Sequence, residues 1–216
     1  MSNNPYNAPF DPMSDSIAIT IPRFTLKKHA DSSFQNYNEP YIVSMAIDES
    51  GVASPAIDFN MMPFPKVRRG GTVKMLGDGH LVYGPRNPGK FVALSVLVME
   101  SDSDLNSIGG QVEEIVSSKA VELGIDTIVS ANPGSAAILA VLKELTQLVA
   151  GHLKSNKDDE LFRIEGTFLR DHATPYHVNR EYDNLGNDYI DMSMRILALA
   201  SPNGQGPATR AISLSR

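Results

Sequence analysis

The segment Glu100-Ser101-Asp102-Ser103-Asp104-Leu105-Asn106-Ser107-Ile108-Gly109 carries an oxygen-bearing side chain at every second position from Asp102 to Asn106. Ligands spaced by two converge when a short loop curls round a hard cation, which is how calcium loops are built. Asp102, Asp104 and Asn106 are therefore the expected metal ligands and Ca²⁺ the expected ion, with Glu113 a further carboxylate downstream. The chain has no cysteine, so an ion would have to be held by carboxylate, imidazole or carbonyl. The spacing departs from an EF-hand: Ser107 stands at the turn glycine, and an apolar strand precedes the loop where the EF-hand has a helix.

Other constellations carry less chemistry. Asp171, His172, His177 and Glu181 cluster in sequence, but two imidazoles five apart on a loop with Thr174-Pro175 match no zinc spacing; a solvated loop is expected. Gly84-Pro85-Arg86-Asn87-Pro88-Gly89-Lys90 has the G-x-x-x-x-G-K outline of a phosphate loop. Phe91 stands where a magnesium-binding hydroxyl belongs, two prolines remove amide donors, and a strand follows in place of a helix. Ser95 lies inside an apolar strand and no G-x-S-x-G elbow occurs, so no catalytic residue and no enzyme is expected. The densest positive run is Lys66, Arg68, Arg69 and Lys74 around Gly70-Gly71. It reads either as a solvated turn or as a contact for phosphate groups or an acidic neighbour. Just before it, Met61-Met62-Pro63-Phe64-Pro65 reads as an apolar loop that packs under a sheet or docks a partner. The net charge of -6 and pI near 5.3 supply no general attraction to nucleic acid, which is not an expected partner.

The elements that must position these groups follow from periodicity. Ile17, Ile19 and Ile21 alternate with small or polar residues, as do Tyr41, Val43, Met45 and Ile47, the pattern of half-buried strands. Residues 91–99 are apolar on both parities, which predicts a central strand buried on both faces. From Gly110 the period changes: Val112, Ile115, Val116, Ala120 and Leu123 share a helical face that Gly124 ends. A second helix over 135–153 carries Ile138, Leu142, Leu145, Val149 and Leu153. It is interrupted by Lys143 and Glu144 and reads as a core helix, not a membrane span. Strands return with Phe162, Ile164 and Phe168, and with Ile190, Met192, Met194 and Ile196. The order β, αα, β, without βαβ alternation, predicts an antiparallel fold.

The core strand followed by an acidic D-x-D loop and Ile108-Gly109 resembles the third calcium loop of the C-two domains, the calcium- and phospholipid-binding β-sandwiches. Glu39-Pro40-Tyr41-Ile42-Val43 is similar to that family's Asp-Pro-Tyr-Val stretch, with Glu39 in place of the aspartate. The resemblance spans residues 17–109. It implies a mainly β, antiparallel C-two-like β-sandwich with an inserted helical hairpin at 110–155, the sandwich running over 17–200 between extended arms at 1–16 and 201–216. The expected function is a non-catalytic binding module whose loops meet calcium, lipid headgroups or protein. The alternative is a structural subunit of a large assembly, such as a phage virion or a secretion-type particle, in which the arms lace neighbours together by self-assembly. Residues 1–16 are polar and proline-marked, unlike a secretory signal, and a cytoplasmic site of synthesis is expected.

Overall fold

The computed structural model describes residues 9–28, 37–51, 56–101, 108–199 and 210–213. The strands are β1 (Ser16–Leu26), β2 (Tyr37–Asn38), β3 (Pro40–Asp48), β4 (Ala56–Pro63), β5 (Val67–Arg68), β6 (Thr72–Lys74), β7 (His80–Arg86), β8 (Phe91–Glu100), β9 (Asp159–Leu169), β10 (Glu181–Gly186), β11 (Ile190–Leu199) and β12 (Arg210–Ser213). Three helices, α1 (Ile108–Glu122), α2 (Ile125–Ser130) and α3 (Ser135–Ser155), stand between β8 and β9. The first sheet runs β10-β11-β1, with β6 and β7 following one another along the far edge of β1. The second runs β12-β4-β3-β8-β9. These pairings are antiparallel, so the mainly β fold with a helical insertion is the observed one.

Two apolar layers explain the two-sided strands. Ile17, Ile19, Ile21, Phe24 and Leu26 of β1 pack with Ile42 and Ala46 of β3 and with Val92, Leu94, Val96 and Val98 of β8. On the opposite face Tyr41, Val43, Met45, Ala93, Leu97 and Met99 meet Val112, Val116, Ile138, Leu142, Leu145 and Val149 of the helices. β3 and β8 are therefore buried at every position, β8 as its unbroken apolar run predicted. The molecule is a sandwich with a third, helical layer on the second sheet. In β1 the inward set switches from odd to even positions because one extra residue enters the strand between Thr20 and Arg23, where the register with β11 shifts. Pro22, which has no N–H to give a ladder, sits in that bulge.

Gly124 adopts φ 63°, the left-handed conformation for which glycine has no Cβ penalty, and ends α1. The short helix α2, absent from the sequence reading, then turns the chain into α3. By length and composition α3 would suffice to cross a membrane; here Ile138, Leu142, Leu145, Val149 and Leu153 are buried against the fold. Thr146 Oγ1 donates to Ser95 Oγ at 2.7 Å, pinning α3 to β8 through two buried hydroxyls. Residues 61–63, expected as a loop, belong to β4, and Phe64 is buried edge-on against Phe24. Within the stretches expected as arms, Phe10 meets Tyr176 edge-on at 6.3 Å, Pro12 accepts a hydrogen bond from Asn87 Nδ2, and Arg210–Ser213 is β12.

Candidate functional site

One end of the sandwich gathers cations from two segments distant in sequence and an aromatic residue from a third. Lys27 and Lys28 follow β1, Arg68 ends β5, and the turn after it carries Arg69. The turn is tied to β1 by Leu26 N–H to Gly71 O at 3.0 Å and Gly70 N–H to Leu26 O at 2.6 Å. Gly70 has φ 75°, and a Cβ on Gly71 would lie 2.7 Å from Arg68 O, so the Gly-Gly pair is what lets the turn close this tightly. Lys27 N–H donates to Tyr189 O at 2.6 Å, which brings the segment before β11 to the same end. Arg69 Nε donates to Lys27 O at 3.3 Å, and Arg68 donates to Tyr37 Oη from both Nε and Nη2, at 3.1 and 2.9 Å.

The charges at this end are unevenly paired. Lys28 meets Asp188 at 2.8 Å and Lys66 lies 3.8 Å from Glu39. Among the described residues, Lys27, Arg68 and Arg69 make no ion pair with a carboxylate. All five cations are exposed. Tyr37 and Tyr189 are also exposed, at 37% and 38%, and the Arg68 guanidinium lies over the Tyr37 ring, 5.2 Å from its centroid. This combination suits phosphate oxygens at a boundary between water and an apolar phase. Sequence reading found Lys66, Arg68 and Arg69. Lys27, Lys28, Tyr37 and Tyr189 were missed, although the Lys-Lys pair ending a strand was a usable signal.

Asp102, Asp104 and Asn106, the expected calcium ligands, lie outside the described residues. Their approach is visible: Ser101 N–H donates to Glu39 O at 3.1 Å, so the acidic loop leaves β8 beside the same end. Next to it Tyr41 Oη donates to Asp158 Oδ2 at 2.5 Å inside the protein. Burial, reinforced by Asp158, pushes the Tyr41 phenol far above its ordinary range, and it stays a neutral donor. Among the described residues no group of three or more His, Asp or Glu side chains is placed to hold a metal.

The histidine cluster is split by the fold. His172 and His177, five apart in sequence, lie with ring centroids 4.4 Å apart and their planes tilted by 59°, and His177 Nδ1 hydrogen-bonds Tyr182 Oη. Burial, then His172 and Arg180, lower the His177 pKa. The carboxylates point elsewhere: Asp171 pairs with Arg170 at 3.1 Å and Glu181 with Arg195 at 2.7 Å. The loop at 84–90 forms no phosphate cradle, since Arg86 belongs to β7, Lys90 pairs with Glu49 at 2.8 Å, and β8 follows at once.

His80 opens β7 and is buried, and its Nε2 has no hydrogen-bond partner among the described residues. Desolvation pushes its pKa from 6.5 down to about 4. The unfolded chain therefore binds the proton more readily, so stability is full above pH 6.5 and falls as pH drops toward 4. At about 1.4 kcal/mol per pKa unit, the loss is on the order of 3 kcal/mol. Urea midpoints at pH 7 and pH 4.5 should differ less in His80→Asn than in the parent chain; equal differences would contradict the assignment.

No protein-family model matches the chain, and no curated protein matches it. A solved structure of human GIVD cytosolic phospholipase A2 in complex with methyl gamma-linolenyl fluorophosphonate is similar at a TM-score of 0.36 and 7% identity, over 90% of this chain and 18% of that one. A likeness at that level carries no argument about what this chain does.

Proposed function

We propose that the chain is a non-catalytic binding module that docks on phosphate-bearing lipid headgroups through the end formed by Lys27, Lys28, Lys66, Arg68 and Arg69. The observation that carries this reading is the convergence of Lys27, Arg68 and Arg69, none of them in a contact ion pair with a carboxylate among the described residues, beside exposed Tyr37 and Tyr189. An anionic leaflet attracts basic side chains by about 1 kcal/mol each, and tyrosine favours the headgroup level. The local patch acts within a Debye length, so the acidic charge of the whole chain does not cancel it. The C-two-like reading accords with this placement: an antiparallel sandwich presents loops at one end, and β8 finishes at that end, where Ser101 bonds Glu39.

Co-sedimentation with vesicles of phosphatidylcholine, with and without phosphatidylserine, tests it. Binding is expected only to the anionic vesicles and should weaken with salt. The triple change Lys27→Gln, Arg68→Gln, Arg69→Gln should reduce affinity by roughly a hundredfold, from about 1 kcal/mol per cation. Binding to both vesicle types alike, or an unaffected triple variant, would sink the reading. Running the same assay with calcium and with a chelator, on the parent chain and on Asp102→Asn with Asp104→Asn, decides whether the acidic loop adds a calcium requirement.

A second reading, a structural subunit of a large assembly, is favoured by one observation: the C-terminal segment is seated on a sheet edge as β12.

A further inference from the structure

The seat of β12 is the outer edge of β4. Four register pairs hold it, Arg210 with Phe59, Ala211 with Asp58, Ile212 with Ile57 and Ser213 with Ala56. Beyond the ladder, Ile212 is buried and joins Ile57 and Phe59 in the apolar layer under the helices. Such a seat is read by main-chain hydrogen bonds and one apolar side chain. Recognition of that kind has nothing in it that distinguishes the chain's own strand from the identical strand of another copy. Ten residues, 200–209, separate the end of β11 from Arg210. Fully extended they would reach up to about 35 Å, roughly the width of a small domain, which is enough to carry β12 to a neighbouring molecule. Exchange in trans would keep every contact of β12 unchanged, so what decides between the two forms is chain entropy and protein concentration.

We infer that β12 is an exchangeable strand: residues 210–213 of one copy take the seat on β4 of a second copy of this chain, and the pairing links subunits. The inference deepens the assembly reading, on which it rests, and it leaves the headgroup reading untouched. A reciprocal exchange closes a dimer, and a one-way exchange builds an open chain of copies.

The absence of cysteine makes engineered thiols unique. Ala56 and Ser213 are register partners across the β4–β12 ladder, a separation a disulfide can bridge. Full-length Ala56→Cys and full-length Ser213→Cys are purified separately, mixed, incubated and oxidised, then resolved on a non-reducing gel with peptide mapping. The expected result is a disulfide joining position 56 of one chain to position 213 of the other, in excess over the two self-pairs. A mixture yielding only self-pairs, while a chain bearing both substitutions closes on itself, would show that β12 seats only in its own molecule and would overturn the inference. A double variant that forms neither link would overturn it too, since β12 would then not lie on β4. The assembly reading fails separately if the unmodified full-length chain remains monomeric by light scattering across the concentration range of the exchange.

Discussion

Arg86→Met should lower the unfolding free energy by about 3 to 5 kcal/mol, the range for removing one partner from a buried ionic group. Asp48 at the end of β3 and Asp58 in β4 are both nearly sealed from water, with side chains 2% exposed. One guanidinium serves both: Arg86 Nε donates to Asp48 Oδ2 at 2.5 Å and Nη1 to Asp58 Oδ1 at 2.8 Å. Tyr83 Oη adds a bond to Asp48 Oδ2 at 2.6 Å, and Arg86 stacks on the Tyr83 ring with its guanidinium carbon 4.8 Å from the centroid. Because β7 belongs to the first sheet and β3 and β4 to the second, this cluster is an ionic clasp across the sandwich. Burial works against the guanidinium charge, but Tyr83, Asp48 and Asp58 outweigh it and raise its pKa. Methionine keeps length and apolar packing and removes the charge, so two carboxylates in a low-dielectric site lose the Arg86 guanidinium. Lysine at the same position should recover part of the loss, since it restores charge without the two-pronged fork. Urea unfolding with an unchanged slope is the measurement; a shift of less than about 1 kcal/mol in Arg86→Met would mean that the clasp contributes little.

Leu142→Asp should unfold the domain outright. Leu142 is fully buried in the layer between α3 and the second sheet, among Leu145, Val149, Leu97 and Val116. A carboxylate there loses its hydration and gains no partner, which costs several kcal/mol on top of the lost apolar contact. Domains of this size hold about 5 to 15 kcal/mol in all, so the far-ultraviolet and near-ultraviolet circular dichroism should both lose their native form. Leu142→Ala keeps the result interpretable: it should stay folded and cost about 2 to 5 kcal/mol. A native spectrum for the aspartate variant would mean that α3 can leave the sheet without loss of the sandwich.

The two results concern different kinds of information in the chain. Burial of Leu142 was legible, because Ile138, Leu142, Leu145, Val149 and Leu153 repeat at helical spacing and Gly124 marks where the preceding helix stops. The double burial of β8 was legible too, because both of its parities are apolar. The bulge at Pro22 was not drawn from the pattern, although the inward set changing from Ile21 to Phe24 carried it. The clasp was missed altogether: Asp48, Asp58 and Arg86 look like ordinary turn and strand charges until β7 is laid across β3 and β4. The basic end was half seen, since Arg68 and Arg69 adjoin in sequence whereas Lys27 and Tyr189 join them through the backbone bonds of Leu26, Lys27 and Tyr189.

What the sequence determined by itself was the main elements, β1, β3, β8, β9, β11, α1 and α3, and most of the faces they bury. Periods of two and of 3.6 are written in neighbouring residues, and the hydrophobic effect that reads them is local and non-directional. What only the tertiary structure decided was which charges meet, that α2 sits between α1 and α3, and that residues 210–213 form a twelfth strand on the edge of β4. Ion pairs and ladder hydrogen bonds act over a few ångströms and depend on direction, so their partners are chosen by which strands come to lie side by side, a choice that no short window of the chain contains.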